Sequence, residues 1–346
     1  MLVAVGSSFL FSLCLFLLGR NAFQKMQWLP PLLPAGIFFY FLSFLPTISA
    51  GETIRKTYEW VPSLGVNLDF YADGLGLLFT LIISGIGMLV FFYSTYYLKG
   101  HPRLLRFYAY LSVFMGAMLG LVLSNNLISL FIFWELTSIS SFYLIGFNNE
   151  EKASRKSALT ALAITGFGGM ALLGFAVTAG SLTGTYDIQA MLNDPDVFAQ
   201  GNMAILLMVF LFGAAFTKSA QFPFHFWLPG AMKAPTPVST YLHSATMVKA
   251  GVYVLLRFSP HFTENPMWHQ VLIAVGGVTM LYAAIHTLFR TDLKGILAYS
   301  TISALGILVF LIGIGTNFAL TAALVFIVVH ALYKASLFLI TGILDH

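Results

Sequence analysis

The sequence predicts an all-α membrane protein that crosses a bilayer about eleven times and contains broken helices. Three observations predict it. Hydrophobic residues make up 58% of the chain and charged residues only 9%, which is not the composition of a soluble domain. Apolar stretches long enough to span recur from end to end, at roughly 2–19, 28–49, 72–98, 105–123, 125–147, 156–180, 202–221, 238–257, 268–289, 294–315 and 318–344. Basic residues crowd into every second loop, the asymmetry that orients membrane proteins.

The first stretch has no basic segment before it and no small-residue cleavage site after it, so it reads as a retained helix rather than a signal peptide. It holds the single cysteine, Cys14. A lone thiol excludes an internal disulfide framework and a cysteine-ligated iron–sulfur cluster or zinc site. Arg20 and Lys25 follow this stretch, and Lys99, Arg103, Arg106, Lys152, Arg155, Lys156, Lys233, Arg290 and Lys294 follow later odd-numbered ones. Only Arg55, Lys56 and Arg257 follow even-numbered stretches. The bias places the amino terminus outside and the odd loops in the cytoplasm. The net charge of +4 therefore expresses orientation and calls for no nucleic-acid partner.

Asp73, in Tyr71-Ala-Asp-Gly-Leu-Gly76, opens the third stretch, where a carboxylate suits the helix dipole. Glu135 is the one carboxylate deep within an apolar stretch, in Leu130-Phe-Ile-Phe-Trp-Glu-Leu-Thr137. Lys218, Lys249 and Lys334 lie within other stretches. Ions at bilayer depth are costly and mark ion paths or internal pairs. One acid and three bases in four segments read as parts of a proton or ion conductor. Glu135 has a plainer reading too, as a protonated acid that bonds neighbouring helices.

Apolar character runs from about 202 to 232, which as one straight helix is ~45 Å long and overshoots a ~30 Å hydrocarbon core. A break at Pro223 resolves the mismatch, because proline removes an amide donor and clashes with the preceding turn. Lys218 then sits one turn before the break, a charge beside an interrupted helix, as in ion transporters. The alternative for Lys218 is snorkelling towards an interface. Lys249 lies near the middle of its stretch, beside a structural pairing as the alternative. His243 precedes it by six residues, so on an ideal helix the two point ~120° apart and share a face only if the helix is bulged. Trp227 and Pro229 around His225 suggest an interfacial anchor, and His286, near the end of its stretch, meets headgroups. His330 and Lys334 are one turn apart and share a face.

The eight histidines form no i, i+4 imidazole pair, and there is no phosphate loop, nucleophile elbow or dinucleotide fingerprint. No cofactor and no metal is expected in this chain.

Six ordered segments are familiar: F-W-E-L-T-S-I-S-S-F-Y-L-I-G-F (133–147), T-K-S-A-Q-F-P-F-H-F-W-L-P (217–229), P-T-P-V-S (235–239), H-S-A-T-M-V-K-A-G-V-Y (243–253), D-L-K-G-I-L-A-Y-S-T-I-S (292–303) and H-A-L-Y-K-A-S-L-F (330–338). They resemble the proton-translocating antiporter-like family, which includes the large A subunit of Mrp-type Na⁺(K⁺)/H⁺ antiporters and the membrane-arm subunits of respiratory complex I. Tyr71-Ala-Asp-Gly-Leu, Trp-Glu-Leu-Thr-Ser around Glu135 and Met247-Val-Lys-Ala-Gly look most like the Mrp A subunit.

The resemblance implies inverted five-helix repeats, each with a broken helix, joined by a hydrated polar axis in the membrane plane. Residues 1–104 would hold the first three helices, 105–257 the first repeat and 258–346 a partial second repeat. Glu135 and Lys218 match the family's coupled pair, Lys249 and His243 its connecting positions, and His330 and Lys334 its eleventh-helix motif. The family continues into a twelfth helix with another lysine, whereas this chain stops at His346, so the second repeat is expected to be incomplete. A truncated product or fragment, or a missing half supplied separately, would account for it, and transport by this chain alone is not expected. The implied function is cation/proton antiport, with Na⁺ or K⁺ leaving, in a multisubunit complex of a bacterial cytoplasmic membrane. The expected partners are other subunits of the complex and the lipid bilayer. An alternative is a proton-pumping subunit of a complex I-like quinone reductase or a membrane-bound hydrogenase. A third is a remnant that only scaffolds its neighbours.

Overall fold

The computed structural model describes residues 1–17, 28–193 and 201–345. Arg20 and Lys25 lie outside the described residues. Helices α1 (Leu2–Leu17) and α2 (Leu32–Leu42, continued by the short helix Leu45–Ser49) precede a two-stranded hairpin. Then follow α3 (Gly74–Tyr97), α4 (Leu104–Leu123), α5 (Leu127–Ile145), α6 (Lys152–Thr183) and α7 (Asn202–Lys218). An irregular stretch leads to α8 (Ala250–Phe262), and α9 (Pro266–Leu288), α10 (Leu293–Ile314) and α11 (Asn317–Leu344) complete the chain.

Among the described residues eight helical segments are long and apolar enough to cross a membrane, and α1 and α7 are shorter apolar helices. The chain is a multi-pass membrane protein. Its starts are legible in the residues. Asp73, Asn126, Asn265, Asp292 and Thr316 cap α3, α5, α9, α10 and α11, each side chain accepting from an amide in the first turn. Gly184 and Gly315 end α6 and α10 in the left-handed conformation.

Helix α4 is the most enclosed of the spans, while α2 and α9 keep much of their surface outward. The outward residues, such as Leu288, Phe318 and Val3, are themselves apolar, as a lipid-facing surface requires. Helices α9 and α10 meet backbone to backbone: Gly276 lies against the Phe310 amide and the Gly306 carbonyl, and Gly306 against the Met280 amide. Without a hydrophobic force between helices in lipid, such close approach through small residues supplies the packing.

In the course of its backbone the structure departs from the sequence reading in two places. Strands β1 (Ile54–Val61) and β2 (Val66–Ala72) pair antiparallel between α2 and α3, with Thr57 opposite Asp69. No strand is expected there from hydropathy, since the segment lies between apolar spans and is judged only as a loop. A lone two-stranded hairpin is marginal in water, and this one is anchored: Phe70 is buried against Phe133, and Asp69 accepts from Thr57, Arg55 and Asn125. The second departure is the break after α7. It begins at Lys218, before Pro223, and Ala220 takes a left-handed φ of 48°.

Candidate functional site

Glu135 and Lys218 come from α5 and α7, with α6 packed beside both. Lys218 is the last residue of α7 and fully buried. Its ammonium donates to Ser138 Oγ at 2.8 Å and to the Trp134 carbonyl at 3.3 Å, and lies 5.0 Å from the Trp134 ring centre. These contacts point it into the protein, so it does not snorkel. Its acceptors are neutral. Ser138 and Trp134 flank Glu135 on α5, and no hydrogen bond or ion pair joins Lys218 to the acid, although their charges interact.

Glu135 Oε1 is buried without a hydrogen-bond partner. Gly169 of α6 faces it so closely that a Cβ there would collide with Oε1. Its neighbour Gly168 is equally close to Thr217 Oγ1, next to Lys218. The Gly168–Gly169 pair is thus the surface on which the Thr217 and Glu135 side chains seat.

Two interrupted helices meet behind Lys218. Ser219 Oγ donates to the Val248 carbonyl at 2.7 Å and accepts from the Val252 amide at 3.1 Å, tying the end of α7 to the start of α8. Gly251 permits this, because a Cβ would meet the Ala215 carbonyl and Ser219 Oγ. The Trp227 indole donates to the Thr217 carbonyl, one of those left free by the break. Trp227 is buried, so the interfacial anchor expected around His225 is not formed.

The approach to α8 holds the bulge on which a common orientation of His243 and Lys249 depends. Residues Tyr241–Ala245 form a π turn and Met247–Lys249 a 3₁₀ turn, with Thr246 between them donating to the Tyr241 carbonyl. Both side chains reach α11. Lys249 donates to the Ile327 carbonyl at 2.9 Å, on the turn of α11 that precedes His330. His243 lies between Trp227 and Phe338, with Nδ1 unpartnered. Their contacts on α11 are eleven residues, or ~16 Å, apart.

His330 and Lys334 are buried on that same face of α11. Both ring nitrogens of His330 lack a partner. Lys334 donates to Ser300 Oγ and, at 3.3 Å, to the Leu297 carbonyl, both on α10. Each of the three buried lysines therefore holds a carbonyl of another helix, and two of them also hold a serine hydroxyl. Sequence reasoning picked out the lysines and passed over Ser138, Ser300, Gly168 and Gly169. Their signal is the spacing Glu-Leu-Thr-Ser and the doublet Gly168–Gly169 within an apolar span.

His225 and His286 belong to a separate aromatic stack. His225 is buried, lies parallel to Phe222 and edge-on to Tyr282, and Tyr282 stacks on His286 at 4.0 Å. His286 is also stacked with Tyr299. Asp73 caps α3 as expected, and it also pairs with Arg257. Arg257 is not a loop residue: it lies within α8, buried, bonded to Asp73 and the Tyr253 hydroxyl. Among the described residues no group of three or more histidine, cysteine or carboxylate side chains could hold a metal ion.

Residues 124–346 match the family model described as NADH:quinone oxidoreductase/Mrp antiporter, TM, and residues 60–108 match the N-terminus of chain 5 of NADH–ubiquinone oxidoreductase (complex I). The chain is 45% identical over 359 aligned residues to the Na⁺/H⁺ antiporter subunit A1 of Staphylococcus aureus, covering 99% of this chain and 45% of that protein. It therefore spans less than half the length of the curated relatives it matches. A chain of the Mrp complex from Dietzia sp. DQ12-45-1b superposes with a TM-score of 0.92 at 40% identity, covering 99% of this chain and 37% of that one. A chain of Thermus thermophilus respiratory complex I superposes with a TM-score of 0.86 at 23% identity, over 99% of this chain and 71% of that one, a likeness of fold.

Proposed function

The chain belongs to the NADH:quinone oxidoreductase/Mrp antiporter membrane family, and on that premise we propose that it is the proton-conducting part of a cation/proton antiporter subunit. In this reading it is a secondary transporter rather than an enzyme, and works with other subunits in a bacterial cytoplasmic membrane. Protons move through Glu135, Lys218, Lys249, His243, His330 and Lys334 while Na⁺ or K⁺ leaves. In this reading the chain crosses the bilayer about eleven times with its amino terminus outside. Residues 1–104 carry the first three helices, 105–257 the first of two inverted repeats and 258–346 part of the second.

One observation carries the reading. Lys218 is buried and held by neutral acceptors that flank Glu135, without pairing to it. A static buried ion pair adds little to stability, whereas an ammonium with two sets of acceptors within reach is a switch. Moving from Ser138 to Glu135, Lys218 would stabilise the carboxylate and release its proton. Moving back, it would leave Glu135 to take up a proton again. Beyond this pair, Lys249, His330 and Lys334 adjoin along α11, and the unpartnered nitrogens of His243 and His330 are suited to relay a proton through bridging water.

The test uses everted vesicles containing the full complex and a fluorescent report of the proton gradient. Added sodium dequenches the signal with the unaltered protein, and Glu135→Gln abolishes the response. Full dequenching in the variant would remove Glu135 from the path. A redox-driven pump would use the same residues, and the complex I fold likeness keeps that reading in view. A proton gradient that responds to a quinone-reducing donor and not to sodium would favour it.

A further inference from the structure

At the end of the molecule where the α3–α4 and α5–α6 connections lie, a cavity of about 320 Å³ opens between α4, α5 and α6. This is within the ~300–1,000 Å³ range of small-ligand pockets. Three arginines converge on it: Arg103, Arg106 and Arg155. Arg103 is engaged with Asn149 and Glu150, and Arg155 with the carbonyls of Asn149 and Glu150. Arg106 is exposed, with no hydrogen bond or ion pair among the described residues. Glu150 pairs with Arg103 alone and Glu151 lies in the same connection, while the walls of the pocket itself hold three guanidinium groups and no carboxylate.

Its other walls are aromatic. Tyr110 and Tyr143 stack at 5.2 Å with Phe142 beside them, and Tyr143 stays 48% exposed on the apolar outer surface. A guanidinium cluster at the head and an aromatic face running outward match an amphiphile: charge at one end, hydrocarbon at the other. Lys99, Lys152 and Lys156 lie in or next to the same two connections, which adds long-range attraction for an anion. A free phosphate would use the arginines and leave the aromatic wall without purpose.

We propose that this pocket binds an anionic phospholipid, with its phosphate on Arg106 and Arg155 and an acyl chain along Tyr110 and Tyr143. The site is separate from the buried acid–lysine row and does not depend on the antiporter reading.

The experiment takes the purified, delipidated complex and measures uptake of spin-labelled phosphatidylglycerol and phosphatidylcholine. The unaltered protein binds phosphatidylglycerol preferentially. Arg106→Gln and Arg155→Gln each weaken that preference about five-fold, the effect of one basic side chain near a membrane surface. Arg106→Lys retains most of it, and Lys233→Gln, outside the pocket, leaves it unchanged. Both arginines are exposed, so unchanged melting of the variants verifies that they fold. Equal binding of the two lipids, or full preference in the double Gln variant, overturns the proposal. So does displacement of the lipid by inorganic phosphate at equal concentration, which would identify a phosphate site. Loss of a bound acidic subunit from the double variant, with lipid uptake unchanged, would assign the pocket to a protein partner and overturn it as well.

Discussion

Gly169 decides where Glu135 sits. A carboxylate with one oxygen buried and unpartnered is costly, and it stays in place because α6 offers it a surface without a side chain. Gly169→Ala would put a methyl group into Oε1. Overpacking of this kind costs about 1–3 kcal/mol, and relief by turning the carboxylate would alter its distance to Lys218. The expected outcome is a lower melting temperature in detergent together with loss of sodium-dependent dequenching. Gly166→Ala, three residues earlier in the same helix with open space around it, should lower neither, since alanine favours a helix interior over glycine. If the two variants behave alike, the seat on α6 is not part of the path.

At the level of elements, the informative feature is that two interruptions share one brace. An unbroken α7 and α8 would satisfy their own carbonyls. Here Ser219 serves the Val248 carbonyl and the Val252 amide, and Trp227 serves the Thr217 carbonyl. Irregular backbone at membrane depth is tolerated only where protein or water satisfies it. Ser219→Ala leaves a buried carbonyl and amide without that partner, at a cost of about 1–3 kcal/mol. Thermal unfolding of the solubilised protein checks it. Because the brace joins the segment of Lys218 to that of Lys249, transport should fall beyond what lost stability explains. An unchanged melting temperature would mean that the two breaks are held by other contacts.

Across the whole molecule, Arg257 and Asp73 join segments 184 residues apart in sequence. Burial pushes the Asp73 carboxyl up, but the hydrogen bonds and charge of Arg257, with the Gly76 amide, outweigh it and hold the group below its ordinary value. A carboxyl depressed in the folded state contributes stability that is fully present above the ordinary aspartate value of 3.8 and is lost as pH falls through the lower folded value. Melting temperature should therefore stay level on this account at neutral pH and decline in strong acid. Asp73→Asn leaves the arginine buried without its counter-charge, a loss of about 3–5 kcal/mol, and flattens the acid limb. A variant with the same acid limb as the unaltered protein would show that another carboxylate dominates it.

The sequence by itself determined the membrane class, most helix starts and the four ions Glu135, Lys218, Lys249 and Lys334 within apolar runs. Each of these is a local property: apolar length, a capping side chain, or a charge inside an apolar run. It also located the interruption after α7 to within a few residues, since helix length and proline are local too. Which partners those ions hold was decided only in three dimensions. Nothing near Lys218 in the chain indicates that Ser138 and the Trp134 carbonyl receive it ahead of Glu135, or that Gly169 leaves room for the acid. The π turn at Tyr241–Ala245 shows the same limit, because ideal helical geometry separates His243 from Lys249 and only a bulge, set by packing against α11, lets both reach it. The hairpin and the burial of Arg257 are tertiary for a related reason. Each is stabilised by residues far away in sequence, and hydropathy along the chain carries no record of them.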